Sequence, residues 1–525
     1  SLPRPAGRAK PNKWVVAIAV TFGTLMGTID TSIINVAVPH LKGTFSATTE
    51  EITWISTGYI VASVIIMPLT AWLGSLFGRK RIYITGLVLF LVGSFFCGAA
   101  SSLFTLVIWR ILQGVGAGAL QPTEQAILRE TFPPEEQGTA MALYGLAIML
   151  GPAVGPTLGG YLVDNYSWRW IFYINIPVGM IGLFMVWTFV EDPPYLEKFK
   201  GKIDSIGLIL LIVGLGALQT LLERGEEHDW FADTFNVWLA IFAVCSLAMW
   251  VAHELEIPNP QVNLRLLKDR TFASGSLISA CLMSVLFASM FLLPLYMQEL
   301  LRYDATQSGL RLMPRTLVMF LVMPLAGRMY GKVDSRLLVA IGLFFGGVAT
   351  WMMGHFSLYT DTWHILAPQL VQGFAMPLIF IPLSTLALAN VPRPQMGQAT
   401  GLYNLIRQLG GSFGVAAFAA MLTRYIGQSR VQLTPHIAMG DPKIYSMVQG
   451  MTANFVARGA DAATAHGQAL AAIDGMVQGQ AAMLGFDRAF TLGAILFWAI
   501  IPLVLLLKLP DAPVKGEAEH AAVEI

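Results

Sequence analysis

The chain has 525 residues, of which 55% are hydrophobic and only 12% carry a charge, and its formal net charge is +1. A soluble domain carries about 25% charged residues, so this composition excludes an ordinary soluble protein. A net charge this close to zero provides no basic field for nucleic acid, and we expect no nucleic-acid partner. The sequence also has no cysteine or histidine spacing typical of a metal site.

Apolar runs long enough to cross a membrane recur along the whole chain. A helix needs about 20 mostly apolar residues to cross the bilayer. We predict fourteen membrane spans, at residues 14–39, 51–74, 82–103, 105–129, 138–163, 168–190, 203–222, 236–253, 271–299, 306–330, 337–356, 364–390, 396–423 and 486–508. The fold class is therefore predicted to be an all-α membrane protein embedded in a lipid bilayer.

Lysine and arginine residues are distributed unequally between the two sides of these spans. The loops on the side of the termini contain most of them, and the opposite short loops contain few. Basic loops favour the cytoplasm, so both termini are predicted to be cytoplasmic. On that side we place two tails and two linkers, at residues 1–13, 509–525, 191–202 and 254–270.

Residues 424–485 form a long polar loop on the opposite side. Its run "GADAATAHGQALAAIDGMVQGQAAML" is rich in helix-forming residues. A loop of this length usually has a function. We predict a partly helical external element, with a disordered loop as the alternative.

Two segments of the first part of the chain have similar counterparts in the second. Trp109–Gly118 is similar to Pro368–Pro377, and Gly138–Gly155 is similar to Gly397–Gly414, at the same separation along the chain. We therefore predict two six-helix halves in parallel orientation, with two inserted helices between them. The predicted units are residues 14–190, 203–253 and 271–508. Parallel six-helix repeats are typical of transporters that rock two halves about a central site.

An acid lies inside the first span, in the stretch "LMGTIDTSIINVAVP". By helical rise, Asp30 lies roughly 24 Å from the start of its span, and Arg110 enters span 4 from the opposite side and lies roughly 9 Å deep. The two residues are at similar depth and could pair. A charge there costs roughly 2.5–3.5 kcal/mol unless it is paired, solvated or protonated. We interpret Asp30 as a proton carrier; a static ion pair that fixes helix packing is the alternative.

Glu124 lies on the same face of span 4 as Arg110 and Gln113. Its position, about 30 Å along the span, predicts that it lies at the cytoplasmic edge of the membrane. By this measure Asp30 is the one acid deep in the membrane. Glu124 is a second candidate for proton coupling, and helix–helix hydrogen bonding is the alternative.

Polar and aromatic side chains within the spans are candidates for the wall of a substrate cavity. Amide and guanidinium groups could orient or neutralise a substrate, and aromatic rings provide adaptable apolar surface. The candidates are Asn35, Gln113, Tyr144, Phe172, Tyr173, Asn175, Arg315, Gln372, Tyr403, Asn404 and Arg407. Hydrogen bonding between helices and ordinary core packing are the alternatives.

Span 5 contains the motif "GPAVGPTLGG". Glycines at every fourth position predict a face for close helix contact, and prolines remove backbone donors and can bend the helix. The motif residues are Gly151, Pro152, Gly155, Pro156, Gly159 and Gly160. Tight packing and a bendable, sealed helix are both consistent with this pattern.

These motifs resemble those of the major facilitator superfamily, and within it the fourteen-span drug:proton antiporters. The resemblance covers nearly the whole chain and rests on "LMGTIDTSIINVAVP", "RILQGVGAG", "GPAVGPTLGG" and "SWRWIFYINIPVG". It implies the major facilitator fold, Asp30 as the proton-binding acid, Arg110 acting with it, and span 5 as the antiporter motif of exporters. No ATP-binding G-x-x-x-x-G-K-[ST] motif exists. We therefore expect no cofactor, and we expect the proton gradient to supply the energy for transport.

One motif departs from the family pattern. The loop after span 2 usually contains an acid and an arginine where this chain has Ser75 and Leu76, whereas Gly78, Arg79 and Lys80 remain. The charge pairing usual at that loop is therefore in doubt.

The resemblance implies a multidrug exporter in a bacterial inner membrane. Its partners would be protons, small hydrophobic drugs, and a periplasmic adaptor protein with an outer-membrane channel, the adaptor touching residues 424–485. A narrow-specificity exporter or an importer of the same fold is the nearest alternative. A non-transporting receptor or scaffold is an alternative of another class. No nucleophile triad or metal cluster supports a membrane enzyme.

Overall fold

The fold was analysed in a computed structural model that describes residues 12–192, 204–258, 260–436 and 442–507. Most of the predicted tails, and most of the linker at 191–202, lie outside these residues. Within the described ranges the regular structure is helical, apart from a single bridge between Tyr330 and Val333. The predicted all-α class is confirmed.

Fourteen helical segments of the described residues are long and apolar enough to cross a membrane, as predicted. The α-helices are α1 (Lys13–Phe45), α2 (Thr49–Phe77), α3 (Arg79–Ala99), α4 (Leu103–Thr131), α5 (Gln137–Asn165), α6 (Trp170–Tyr173), α7 (Asn175–Phe189), α8 (Ser205–Arg224), α9 (Thr234–Glu256), α10 (Arg270–Glu299), α11 (Ala305–Met329), α12 (Ser335–Met353), α13 (Thr362–Ala387), α14 (Met396–Leu433), α15 (Pro442–Ala457) and α16 (Ala462–Ile500). Helices α6 and α7 together form one span, and α15 is not a span.

The predicted sixth span is interrupted at Ile174, between α6 and α7. Pro177 lies four residues after Tyr173 and has no amide hydrogen. The carbonyl group of Tyr173 therefore lacks its normal helical donor, which explains the break in the regular pattern.

Acidic residues at the ends of spans act as helix caps. The carboxylate of Asp204 accepts a hydrogen bond from the Gly207 backbone amide at 3.1 Å at the start of α8, as its position at the end of a span predicts. Asp304 and Asp361 cap α11 and α13 in the same way. Such caps satisfy amide groups that the first helical turn leaves unpaired.

The two halves of the chain show the same packing pattern. In the first half α1 packs on α5, and α4 packs on both α2 and α3. In the second half α10 packs on α14, and α13 packs on both α11 and α12. Each pair has its counterpart at the corresponding position of the other half, which agrees with the repeat in the sequence.

The halves meet closely on the side of the membrane where α1 begins and α16 ends, here called the terminal side. There α5 crosses α11 so closely that a Cβ atom added at Gly138 would lie 2.6 Å from the carbonyl oxygen of Gly327. Helices α2 and α14 form the second contact between the halves. The terminal side of the bundle is therefore closed by two helix pairs.

Helices α8 and α9 pack on each other and lie outside the two halves. Helix α8 contacts both α2 and α14, one from each half. Its Gln219 side chain donates a hydrogen bond to the Ser412 hydroxyl at 2.8 Å, and Arg224 pairs with Glu50 at 2.8 Å. The inserted helices are therefore joined to both halves.

The predicted external element is confirmed as partly helical. Helix α14 continues ten residues beyond the predicted end of its span, and α16 begins long before its predicted span. Together with α15 they enclose a small apolar core of Val448, Ala469, Ile473 and Val477. This group of three helices lies on the side opposite the termini, here called the loop side.

Candidate functional site

Asp30 and Arg110 form a buried ion pair within the first half. Asp30 lies about 25 Å along α1, and Arg110 lies about 10 Å along α4 from the loop side. The Arg110 Nη1 atom is 2.5 Å from Asp30 Oδ2, and both side chains are 1% exposed. The pairing predicted from their depths is confirmed.

Two amide side chains complete the surroundings of the Asp30 carboxylate. Gln113 Nε2 donates to Asp30 Oδ1 at 2.9 Å, and Asn175 Nδ2 donates to the same oxygen at 2.8 Å. Both amides also donate to the Ser94 hydroxyl, at 2.7 and 3.1 Å. Gln113 and Asn175, proposed from the sequence as cavity residues, therefore surround the acid.

Arg110 is held from several directions. Its Nε atom donates to the Ile55 carbonyl at 3.2 Å, and its Nη1 atom also donates to Gln113 Oε1 at 2.7 Å. The guanidinium lies 4.3 Å from the ring centroid of Tyr59 and 5.8 Å from that of Phe172. Aromatic faces stabilise a cation at such distances, so these rings help to keep Arg110 charged.

The arrangement satisfies a negative charge on Asp30. One charged and two neutral donors bind its two oxygens, so protonation removes the attraction to Arg110 and requires one donor to give way. A displacement of α1, α4 and α7 relative to one another would therefore break these contacts with Asp30.

Removing the arginine is expected to destabilise the first half strongly. Arg110→Ala leaves the Asp30 carboxylate buried without a cation, at a cost of about 3–5 kcal/mol. Thermal unfolding of the detergent-purified variant measures this loss. Arg328→Ala removes an exposed arginine of α11 and is the control with little expected change. Equal unfolding temperatures for the two variants would contradict a structural contribution of the pair.

A second polar cluster joins the two halves. Asn404 of α14 donates to Gln125 of α4 at 2.7 Å. Arg407 of α14 donates to Gln121 of α4 and to the Tyr144 hydroxyl of α5, both at 3.2 Å. The Tyr144 hydroxyl in turn donates to Asn404 Oδ1 at 3.3 Å. These five residues, here called the interhalf cluster, form hydrogen bonds that must break if the halves separate there.

The second half contains its own buried arginine–glutamine pair. Arg315 Nη1 donates to Gln372 Oε1 at 3.2 Å, and Gln372 is the sequence counterpart of Gln113. Within the described residues neither Arg315 nor Arg407 has a carboxylate at ion-pair distance. Tyr403 is buried with its ring centroid 6.0 Å from the Arg407 guanidinium. The first half therefore pairs its buried arginine, Arg110, with an acid, whereas the buried arginines of the second half have no acidic partner among the described residues.

Two aromatic candidates lie away from the interhalf cluster. Phe172 packs on Trp168 and Arg110, and Tyr173 packs on Phe95 and Trp170, both of which are about half exposed on the outside of the bundle. The side chains of two further candidates, Asn35 and Pro152, lie outside what the structure describes.

Glu124 lies toward the terminal side of α4, as its position in the span predicts, and it is buried inside the bundle. Its side chain is fully buried between α4 and α1, and the Thr21 hydroxyl donates to Glu124 Oε1 at 3.2 Å. Helix α1 begins at Lys13, so Thr21 lies about 12 Å inside it. Helix α4 continues past Glu124 to Thr131, so Glu124 lies about 10 Å before the end of its helix.

The glycines of α5 form the predicted close contact, with α1. Ser32 of α1 donates a hydrogen bond to the Gly151 carbonyl at 2.7 Å. A Cβ atom added at Gly155 would lie 1.8 Å from the Ser32 hydroxyl oxygen, and one at Gly159 would lie 2.7 Å from Ile33. Gly160 is buried, and Pro156 lies near Gly309 of α11. Helix α1, which carries Asp30, is thus held directly on α5.

The basic residues after α2 bind partners within the first half. Arg79 forms an ion pair with Glu130 of α4, and the Lys80 backbone amide donates to Asp192 at 2.8 Å. Ser75 donates its hydroxyl hydrogen to the Trp72 carbonyl at 2.7 Å. Arg79 therefore retains an acidic partner although the usual loop acid is absent.

Several site residues were not identified from the sequence. Ser94, Tyr59 and Gln125 are buried beside the two clusters, but none of them belongs to a motif that distinguishes it from its neighbours. A charge or a spacing rule draws attention to Asp30 and Arg407. Lone serine, tyrosine and glutamine residues give no such signal.

A buried acid–base pair in one half and hydrogen bonds across two similarly packed six-helix halves define a membrane transporter of the rocking type. A sequence model of the Major Facilitator Superfamily matches residues 20–415. The chain therefore belongs to the Major Facilitator Superfamily.

Relatives and solved structures agree with this assignment. The multidrug export protein EmrB of Haemophilus influenzae is 33% identical over 94% of this chain and 96% of its own length. The fatty acid resistance protein FarB of Neisseria gonorrhoeae is also 33% identical, with the same coverage of 94% and 96%. The crystal structure of the human organic anion transporter MFSD10 superposes with a TM-score of 0.64 at 14% identity, covering 94% of this chain and 100% of that one. The last comparison supports the fold alone.

Proposed function

We propose that the protein exports hydrophobic drugs or toxic compounds across a bacterial inner membrane in exchange for protons. The observation that carries the proposal is the Asp30–Arg110 pair, an acid buried in a membrane bundle with a cation and two amides. Acids retained at such cost inside a membrane usually serve ion or proton transfer. Multidrug export by the EmrB relative supports the choice of substrate.

In this mechanism the terminal side faces the cytoplasm. Substrate enters between the halves when the interhalf cluster and the closed contact at Gly138 open toward that side. A proton then binds Asp30 from the loop side and weakens its attraction to Arg110. The resulting shift of α1 against α4 and α5 resets the direction of access.

Drug-driven proton movement tests the proposal. The purified protein would be placed in liposomes with a pH gradient, and the lumenal pH followed while several lipophilic drugs are added in turn. We expect each transported drug to accelerate proton movement, which protein-free liposomes do not show. No response to any drug would contradict proton-coupled multidrug export.

A narrower specificity for hydrophobic acids is the second candidate function. Arg315 and Arg407 are buried without a carboxylate partner in the described part of the chain, and Arg407 Nη1 has no hydrogen-bond partner. An acidic group on a substrate would supply one. The fatty acid resistance of the FarB relative favours this option. Comparing a fatty acid with a lipophilic cationic dye in the same liposomes separates the two functions.

We further propose that α15 and the adjoining parts of α14 and α16 bind a periplasmic adaptor protein that leads to an outer-membrane channel. These helices extend past the membrane and expose apolar side chains such as Val431 (73% exposed) and Tyr445 (53% exposed). Deleting residues 442–457 should abolish co-purification of an adaptor while leaving proton-coupled transport in liposomes intact. Retained co-purification would contradict this assignment.

A further inference from the structure

Glu124 is a second buried acid, separate from Asp30. It is hydrogen-bonded to Thr21 of α1, nine residues before Asp30 on the same helix, so the two acids lie about 13 Å apart along α1. Its side chain has no solvent exposure. Glu124 therefore belongs to a different layer of the bundle, nearer the terminal side.

The contacts of Glu124 differ from those of Asp30. The Thr21 hydroxyl donates to Oε1 at 3.2 Å, whereas Oε2 has no hydrogen-bond partner. In the described part of the chain no lysine, arginine or histidine lies within ion-pair distance of Glu124. Asp30, by contrast, is bound by an arginine and two amides.

Among the described residues, the groups that approach Glu124 from the neighbouring helices are uncharged hydroxyl groups. Helix α1 contributes Thr21 and Thr24, α3 contributes Tyr83, whose hydroxyl donates to the Val20 carbonyl, and α5 contributes Tyr144. The nearby cation of α14, Arg407, donates a hydrogen bond to the Tyr144 hydroxyl and forms no ion pair with Glu124 in the described residues. A carboxylate in such surroundings is strongly destabilised, whereas the neutral acid is not.

We propose that Glu124 is a second proton-binding site, which holds a proton in the closed arrangement and releases it to the terminal side when the halves separate. The inference rests on the proposed proton-driven transport and adds to it that two protons cross per cycle, one on each acid. In the enclosed position a proton is small enough to neutralise the carboxylate without any change of packing.

The interhalf cluster explains how release would follow from opening. Gln121 and Gln125, on either side of Glu124 in α4, are the residues that bind Arg407 and Asn404 of the second half. When the halves part, these hydrogen bonds break and water reaches this part of α4. The proton then passes from the Glu124 carboxyl group to water, and the carboxylate that remains is solvated.

Infrared spectroscopy of the purified protein tests the protonation without requiring transport. The C=O stretching band of a protonated carboxylic acid should be present in wild type and in Asp30→Asn, and one such band should disappear in Glu124→Gln. Glu256→Gln, the same substitution at the exposed end of α9, is the matched control and should remove no band. A spectrum unchanged by Glu124→Gln would overturn the inference.

The number of protons per drug molecule tests the coupling. In liposomes, the drug gradient that balances a fixed pH gradient gives this ratio, which should fall from two to one in Glu124→Gln and stay at two in Glu256→Gln. An unchanged ratio in Glu124→Gln overturns the inference alone. No drug-driven proton movement in wild type overturns the proposed function as well.

A variant at Thr21 covers the case in which Glu124→Gln does not fold. Thr21→Val removes the hydroxyl that donates to Glu124 Oε1 and should shift the frequency of the same C=O band. A band insensitive to Thr21→Val would show that the protonated acid is another residue.

Discussion

Asp30→Asn is expected to reduce drug-driven proton movement to the level of protein-free liposomes. Asparagine keeps an acceptor for Gln113 and Asn175, but it cannot exchange a proton and its amide cannot accept the hydrogen bond from Arg110. Because proton binding at Asp30 is the step that resets access, the cycle stops and the proton on Glu124 is not carried either. The measurement follows lumenal pH on drug addition, with drug binding recorded in parallel by fluorescence. Binding without proton movement is the expected combination.

Two further variants make this result interpretable. Asp361→Asn changes an exposed helix cap of α13 to a residue that caps equally well, and it should transport like wild type. The double variant Asp30→Asn/Arg110→Gln removes both charges of the pair and avoids leaving the arginine buried alone. Proton movement at the wild-type rate in Asp30→Asn would mean that Asp30 is a packing residue.

Gly151→Ala is expected to destabilise the protein by about 1–3 kcal/mol, the usual cost of overpacking a tight contact. The added Cβ atom would lie 2.4 Å from the backbone carbonyl carbon of Thr28, which cannot move aside as a flexible side chain can. Helices α1 and α5 must therefore separate. Unfolding temperature and drug transport should fall together, because the displaced helix carries Asp30.

The same glycine-to-alanine substitution at an uncrowded position should stabilise the protein instead of destabilising it. Gly475 lies within α16, and a Cβ atom added there would meet nothing within 4 Å. Alanine at such a helical position stabilises by up to about 1 kcal/mol. Equal responses of Gly151→Ala and Gly475→Ala would show that the contact between α1 and α5 does not depend on the small residue.

The sequence was sufficient to predict the fold because membrane helices have a strong local signal. Each span is a run of apolar residues, and the apolar length alone identifies it. The break at Ile174 was missed, because it depends on the missing amide hydrogen of Pro177 within an otherwise continuous run. The extension of α14 was underestimated for a similar reason, since helix formation continues in polar sequence beyond the bilayer.

Contacts within the site could be predicted where the depth of each residue along its own helix determines them. Asp30 and Arg110 enter from opposite sides and reach the same layer, so counting residues predicted their contact. Counting along α4 does not report the burial of Glu124 inside the bundle, because that burial is set by α1 beside it. Asn175 of α7 donates to Asp30 and also to Ser94 of α3, and these contacts depend on packing between helices that no local pattern reports.

The halves meet at two interfaces, here called seams, one between α2 and α14 and one between α5 and α11. Because α8 is attached to both halves, the two seams differ in how far they are covered from the lipid. On the seam between α2 and α14, a lipid-dissolved molecule meets α8 first, fastened by the hydrogen bond from Gln219 to Ser412. On the seam between α5 and α11 the inserted helices make no comparable cover among the described contacts. The inserted helices therefore shield one of the two interfaces between the halves from the lipid and leave the other without such a cover.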